Sequence, residues 1–323
     1  MKISFSPSVY EHAAYIISKT PWEVSRNGEL MYKAHAAAYE LYRHTPIIVG
    51  IDIYNLEAEA YGGKVKPPDG IGIPATSAPL FNKLEDALNI KSFNPKIDGR
   101  IQMIIQCGRR LKKRFPDAKV CIPVSGLFSI ATSLRGGNEL LLDIITEPDS
   151  VRELLYLLIE GQIRFCKEIL DAGLDIALFE SAATPPLLSP QQFESIELPP
   201  MKRLINRLKD ECGIILPFII GGDTTPILES LIATGTNYLI CPAETDRNAF
   251  MTKMSKYPDV AVRINLSPLL MSFGPVEDIL KEVDAIIEIS KKAANKVLLG
   301  TGVVPYETPP KHILTIKDYV SEI

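Results

Sequence analysis

The stretch Ile214-Ile215-Leu216-Pro217-Phe218-Ile219-Ile220, closed by Gly221-Gly222-Asp223-Thr224-Thr225-Pro226, sets the reading of the whole chain. The first seven residues are apolar. That is too short a run to cross a bilayer as a helix, and it suits a strand buried on both faces. Two glycines, an aspartate and a proline then impose a turn. Outward from this stretch the pattern repeats. Residues 47–53, 120–124, 175–179, 238–241, 260–264 and 296–299 are further short apolar runs. Helical patterns lie between them. Pro148-Asp149-Ser150 opens a segment that places Leu154, Leu155, Leu158, Ile159 and Ile163 at helical spacing, and Gly173 suits its end. Residues 275–294 put Val276, Ile279, Val283 and Ile286 on one face. Strands alternating with helices predict βα units and a parallel sheet. Seven or eight units without a composition break favour one barrel. A doubly wound open sheet is the competitor, and the pattern leaves both open.

The N-terminal part reads differently. Residues 8–43 read as helices ahead of the first strand. We therefore expect residues 1–44 to form a helical cap and residues 45–323 the barrel, as one structural domain overall. Residues 64–79 are rich in proline and glycine and read as a long loop, a type of segment where function gathers.

Composition bounds the class of partner. The chain has 323 residues, 46% of them hydrophobic, which is enough for a large core. Its net charge is -4 with no concentrated basic run, which argues against nucleic acid. The cysteines Cys107, Cys121, Cys166, Cys212 and Cys241 are odd in number, widely spaced and without a CxxC pair. A reducing cytosol is the simplest setting. The first residues lack the profile of a signal peptide. The expectation is a cytoplasmic protein with no membrane and no nucleic-acid partner.

In a barrel the chemistry sits where strands run out at their C-terminal ends. That rule selects Asp52, Tyr54, Asn55, Ser125, Glu180, Asp223, Cys241, Glu244, Arg263, Asn265, Thr301 and Glu307. Asp52 is a base, a ligand or an acceptor for a cationic substrate, or else a loop anchor. Glu180 follows an apolar strand, so it must be paired, protonated or metal-bound. Cys241 is either a small buried hydrophobe or, with Glu180, a zinc donor. Asp223, Glu307 and His312 are the candidates for a third ligand. Arg263 sits inside an apolar run and needs a partner: Glu180, Glu244, or a substrate carboxylate or phosphate. His12, His35 and His44 are not spaced as ligands and suit surface or packing roles. The glycines before Asp223 allow backbone N–H groups to approach an anion.

Several segments together resemble the uroporphyrinogen decarboxylase and cobamide-methyltransferase superfamily. Gly50-Ile51-Asp52-Ile53-Tyr54 with Ala58-Glu59-Ala60-Tyr61-Gly62 is similar to its first strand and the segment after it. Pro123 to Ala131, Leu187 to Phe193 and Asn265-Leu266-Ser267-Pro268 resemble later stretches. The resemblance runs from about Pro46 onward and implies a (β/α)8 barrel. In the zinc-dependent methyltransferases of this family, one segment reads His-x-Cys-Gly-Asp and another carries a Cys after Gly-x-Gly. Here those three positions are Ile219, Gly221 and Val303.

The resemblance implies a methyltransferase that moves a methyl group between a small donor or acceptor and a corrinoid carried by a partner protein. Some relatives that demethylate methoxylated or methylamine-type substrates mix carboxylate and Cys ligands, so Glu180 and Cys241 become the expected zinc pair. In this reading Asp52, Glu180 and Cys241 are catalytic. Tyr54, Asn55, Ser125, Asp223, Arg263 and Asn265 hold the substrate. The alternatives are a decarboxylase using Asp52, and a non-catalytic relative that binds a corrinoid or tetrapyrrole.

Overall fold

The computed structural model describes residues 3–322. Among them, eight parallel strands form the staves of a (β/α)8 barrel. They are β1 (Ser4–Ser8), β2 (Ile47–Ile48), β3 (Val120–Ser125), β4 (Asp175–Glu180), β5 (Phe218–Ile220), β6 (Tyr238–Cys241), β7 (Ala261–Leu266) and β8 (Val297–Val303). Two four-stranded ladders run β2-β3-β4-β5 and β1-β8-β7-β6. One seam is tied by Ser6 Oγ, which donates to the Thr45 carbonyl at 2.8 Å. At the other, Thr236 Oγ1 accepts from Phe218 N at 3.3 Å and donates to the Leu216 carbonyl at 3.1 Å.

The barrel therefore starts at Ser4, within the segment expected to be only a cap. β1 pairs in parallel with β8, with Ser4 opposite Leu298 and Ser6 opposite Gly300. Its Ser-Phe-Ser-Pro-Ser sequence hides it, because Ser6 and Ser8 turn small polar side chains to the barrel interior. The expected helices do follow: Glu11–Ile16, Pro21–Ser25 and Gly28–Tyr42. Thr20 and Glu23 form a capping box at the second, and Asn27 Oδ1 caps the third. They bridge β1 to β2, and Gly28–Tyr42 packs on the helix Ile101–Arg114.

Elsewhere the helices cover the outer face of the strands. Pro148–Asp171 buries Leu154, Leu155, Leu158, Ile159 and Ile163, the face expected from spacing. The main core lies between strands and helices. A smaller cluster fills the barrel itself, with Ile48, Ile53, Cys121, Ala177 and Phe179. Below it the interior opens into a cavity of about 420 Å³ at the N-terminal ends of the strands. The loop after β2 is pinned by a two-stranded hairpin, Val65–Lys66 against Ala75–Thr76, and by Asn55 Nδ2 donating to the Pro74 carbonyl at 2.7 Å. No helix among the described residues is long and apolar enough to cross a membrane.

Candidate functional site

At the C-terminal ends of the strands the barrel opens into a second cavity of about 420 Å³. Side chains alternate between the two faces of a strand, so register decides what the cavity sees. On β7, Arg263 and Asn265 turn inward while Ile264 joins the core under the helices. On β4 it is Phe179 that turns inward, and on β6 it is Ile240. Ile53 and Ile219 extend the apolar wall. Tyr10 and Tyr54 each meet the Phe179 ring edge-on, at 6.0 Å and 6.5 Å between centroids.

Arg263 is only 6% exposed. Among the described residues it makes no hydrogen bond or ion pair, and its Nε is buried without a partner. Asn265 beside it is 5% exposed, with Oδ1 also unpartnered. The path of the arginine is set by β8. Gly300 lies opposite Asn265, and a Cβ on Gly300 would meet Arg263 Cγ at 2.5 Å. The stem thus climbs past Gly300, one layer up, toward the mouth. Burial pushes the Tyr10 phenol up to about 12, and the charge on Arg263 pulls against that.

Glu11 lines the same cavity, half-buried, in the first turn of the helix after β1. Desolvation pushes its pKa up to about 7, against a smaller pull from a backbone hydrogen bond. It therefore holds a proton close to neutrality. Nothing in the local sequence marks it, because the segment reads as part of a cap. Glu244 stands exposed at the rim.

Of the residues expected from sequence, Tyr54, Glu244, Arg263 and Asn265 line the cavity; the others do not, and Glu307 is exposed. Asp52 is 3% exposed, and its Oδ2 receives Arg26 at 2.8 Å and Arg100 at 2.5 Å. Burial raises its pKa while Arg100, Asn55 and Arg26 oppose the rise. Asn55 donates to the same oxygen at 3.2 Å. Ser125 donates through N and Oγ to buried Glu57 at 2.7 and 2.8 Å. Exposed Asp223 caps its own turn through Thr225 N at 3.1 Å. Thr301 Oγ1 accepts from Ser8 N at 2.9 Å, and His312 Nδ1 meets the Met271 carbonyl at 2.8 Å. His12, His35 and His44 are all buried packing residues.

The expected metal pair is corrected by the same alternation. Glu180 follows inward-facing Phe179 and turns outward, where it accepts from Ser129 Oγ, Ser129 N, Ala182 N and Ala183 N. Burial raises its pKa and, together with the nearby Glu180 charge, raises that of Glu197 further. Cys241 follows inward-facing Ile240 and packs in the outer core, where burial pushes its thiol up to about 12. β5 lies between β4 and β6. Neighbouring strands are about 4.8 Å apart, so about 10 Å separates the two backbones.

The profile of the uroporphyrinogen decarboxylase (URO-D) family matches residues 7–323. The chain belongs to this family. No curated protein matches the sequence. Among solved structures the chain is similar to a methyltransferase from Methanosarcina mazei, with a TM-score of 0.82 and 19% identity over 99% of this chain and 94% of that one. Likeness at this identity shows the barrel fold. Ile219, Gly221 and Val303, which the sequence resemblance puts at the zinc-ligand positions of family methyltransferases, all line the mouth cavity. They offer no donor atom. Among the described residues no three His, Cys, Asp or Glu side chains converge to hold a metal. This donor set does not fit zinc.

Proposed function

We propose that the chain transfers a methyl group between a small substrate held in the mouth cavity and a corrinoid carried by a partner protein. The observation that carries this reading is the convergence of Ile219, Gly221 and Val303 on that one cavity. By the resemblance, family methyltransferases hold their zinc at these positions, and in this reading other residues of the cavity take over its part. Arg263 and Asn265 position the substrate from the floor. Phe179, Tyr10 and Tyr54 exclude water around it. Glu11, which holds a proton near neutrality, donates it to the heteroatom as the methyl group departs. In the reverse direction it takes that proton back.

When bound, the corrinoid supplies a cobalt centre able to accept or give the methyl group. The rim suits a large apolar face. Pro268 lines the cavity, and the short helix it opens presents Leu269 and Phe273 to solvent, 72% and 81% exposed. A uroporphyrinogen decarboxylase activity is the weaker reading. Asp52 is held by two arginines outside the cavity lining, and one unpaired cation matches poorly with a substrate bearing many carboxylates.

The test is methyl exchange with free cobalamin, followed by corrinoid absorbance. Methylated oxygen, sulfur and nitrogen donors are offered to cob(I)alamin, and thiols and phenols to methylcobalamin. We expect transfer above the uncatalysed rate with at least one donor or acceptor class, reduced about 10- to 100-fold in Glu11→Gln. A folded protein that accelerates none of these exchanges in either direction would refute the reading.

A further inference from the structure

We propose that the mouth cavity selects a small monocarboxylate on an apolar body, with the Arg263 guanidinium pairing the carboxylate. The inference rests on reading this cavity as the substrate site. It starts from an imbalance of charge. Arg263 is a permanent cation, 6% exposed, with no carboxylate paired to it among the described residues. Each of the other buried or half-buried arginines has one: Arg26 and Arg100 share Asp52 and Glu59, Arg135 holds Asp143, Arg152 holds Asp149, Arg207 holds Glu160 and Glu211, and Arg247 holds Glu282. A guanidinium taken out of water without a counter-charge destabilises the fold. Its retention is explained when a ligand supplies the missing anion.

The surroundings define that anion. Gly300 clears the stem's route up the barrel interior, where Arg263 lines the mouth cavity and also the lower one. The planar guanidinium fork matches a planar carboxylate in two parallel hydrogen bonds. Asn265, with its amide beside the stem, is free to hold a neighbouring polar atom of the ligand. One cation balances one negative charge. Glu11 and Glu244 place two carboxyl groups around the same space, which disfavours a phosphate dianion. Ile53, Phe179, Ile219 and Ile240 give the body of the ligand an apolar wall to lie against.

Calorimetric titration with benzoate, benzenesulfonate and phenyl phosphate tests this, alongside thermal melts. Benzoate should bind wild type at least 10-fold more tightly than either of the others. Arg263→Lys should weaken it about 10-fold, and Arg263→Met should abolish it. Without ligand, Arg263→Met should melt at a higher temperature than wild type, because the uncompensated charge is gone, and this also shows that the variant folds. Benzoate binding that is absent, equal in Arg263→Met, or weaker than that of phenyl phosphate overturns the inference. Methyl exchange in a protein that ignores benzoate would sink the carboxylate and spare the proposed function. Benzoate held by Arg263 in a protein that never exchanges methyl groups would do the reverse.

Discussion

At the scale of single residues, the site is decided by which way each side chain turns at the end of a strand. Phe179 faces the cavity and Glu180 does not; Ile240 faces it and Cys241 does not. A shift of one residue would exchange these roles. The order of residues locates the strand end, but the parity depends on ladder register, which long-range pairing sets. That is why Arg263 and Asn265 line the cavity while Glu180 and Cys241, picked by the same strand-end rule, turn away from it. Glu11 was not legible at all, since its place at the cavity depends on β1 being a stave. Its carboxyl gives a test of its environment. Its pKa is raised from 4.5 to about 7, so the folded state favours the protonated form. Stability from this group is fully present below pH 4.5 and is lost as pH rises through 7. Glu11→Gln should therefore leave the melting temperature unchanged near pH 4 and raise it near pH 8. An equal effect at both pH values would show that the carboxyl is not desolvated.

At the scale of elements, a four-membered ionic network ties three segments together. Arg26 ends the helix Pro21–Ser25, Arg100 precedes Ile101–Arg114, and Glu59 lies in Leu56–Ala60. Both arginines reach Asp52 and Glu59, with Arg100 Nε at 2.5 Å from Glu59. Removing the Asp52 charge leaves two guanidiniums sharing one carboxylate. Asp52→Asn should cost about 3 kcal/mol in denaturant unfolding while leaving ligand affinity in the mouth cavity unchanged. Lost affinity at unchanged stability would instead put Asp52 in the chemistry. The elements themselves were mostly legible. Strands buried on both faces appear as unbroken apolar runs, and β3, β4, β6 and β7 match their predicted runs closely. Two departures have local causes. Residues 214–217 are apolar but leave the ladder ahead of Pro217, which has no N–H to donate, so β5 is only Phe218–Ile220. β2 is reduced to Ile47–Ile48, and the chain then turns so that Asp52 meets its arginines.

At the scale of the whole molecule, burial of acidic and basic groups in one connection of the barrel sets opposing pH dependences. The connection from β1 to β2 buries three histidines against strands and helices. His35 Nε2 accepts from Gly50 N at 3.0 Å, and desolvation lowers its pKa to about 4. His44 has neither ring nitrogen partnered and sits near Tyr39 and Tyr42. Desolvation, with the charges of His35 and His12, lowers its pKa to about 3. For both, the folded state favours the neutral ring. Their stabilising effect is present above pH 6.5 and is lost as pH falls through 4 and then 3. Glu11 loses stability in the other direction, between pH 4.5 and 7. The acid limb of a melting-temperature profile should thus begin below pH 6.5, driven by the histidines before most carboxylates titrate. His44→Phe keeps an aromatic ring among the tyrosines and removes two unsatisfied nitrogens along with the titration. It should gain about 1 kcal/mol at pH 7 and flatten the profile between pH 6.5 and 4. An unchanged slope in that interval would mean that His44 does not resist protonation in the fold, and that the N-terminal helices open to water there before the barrel does.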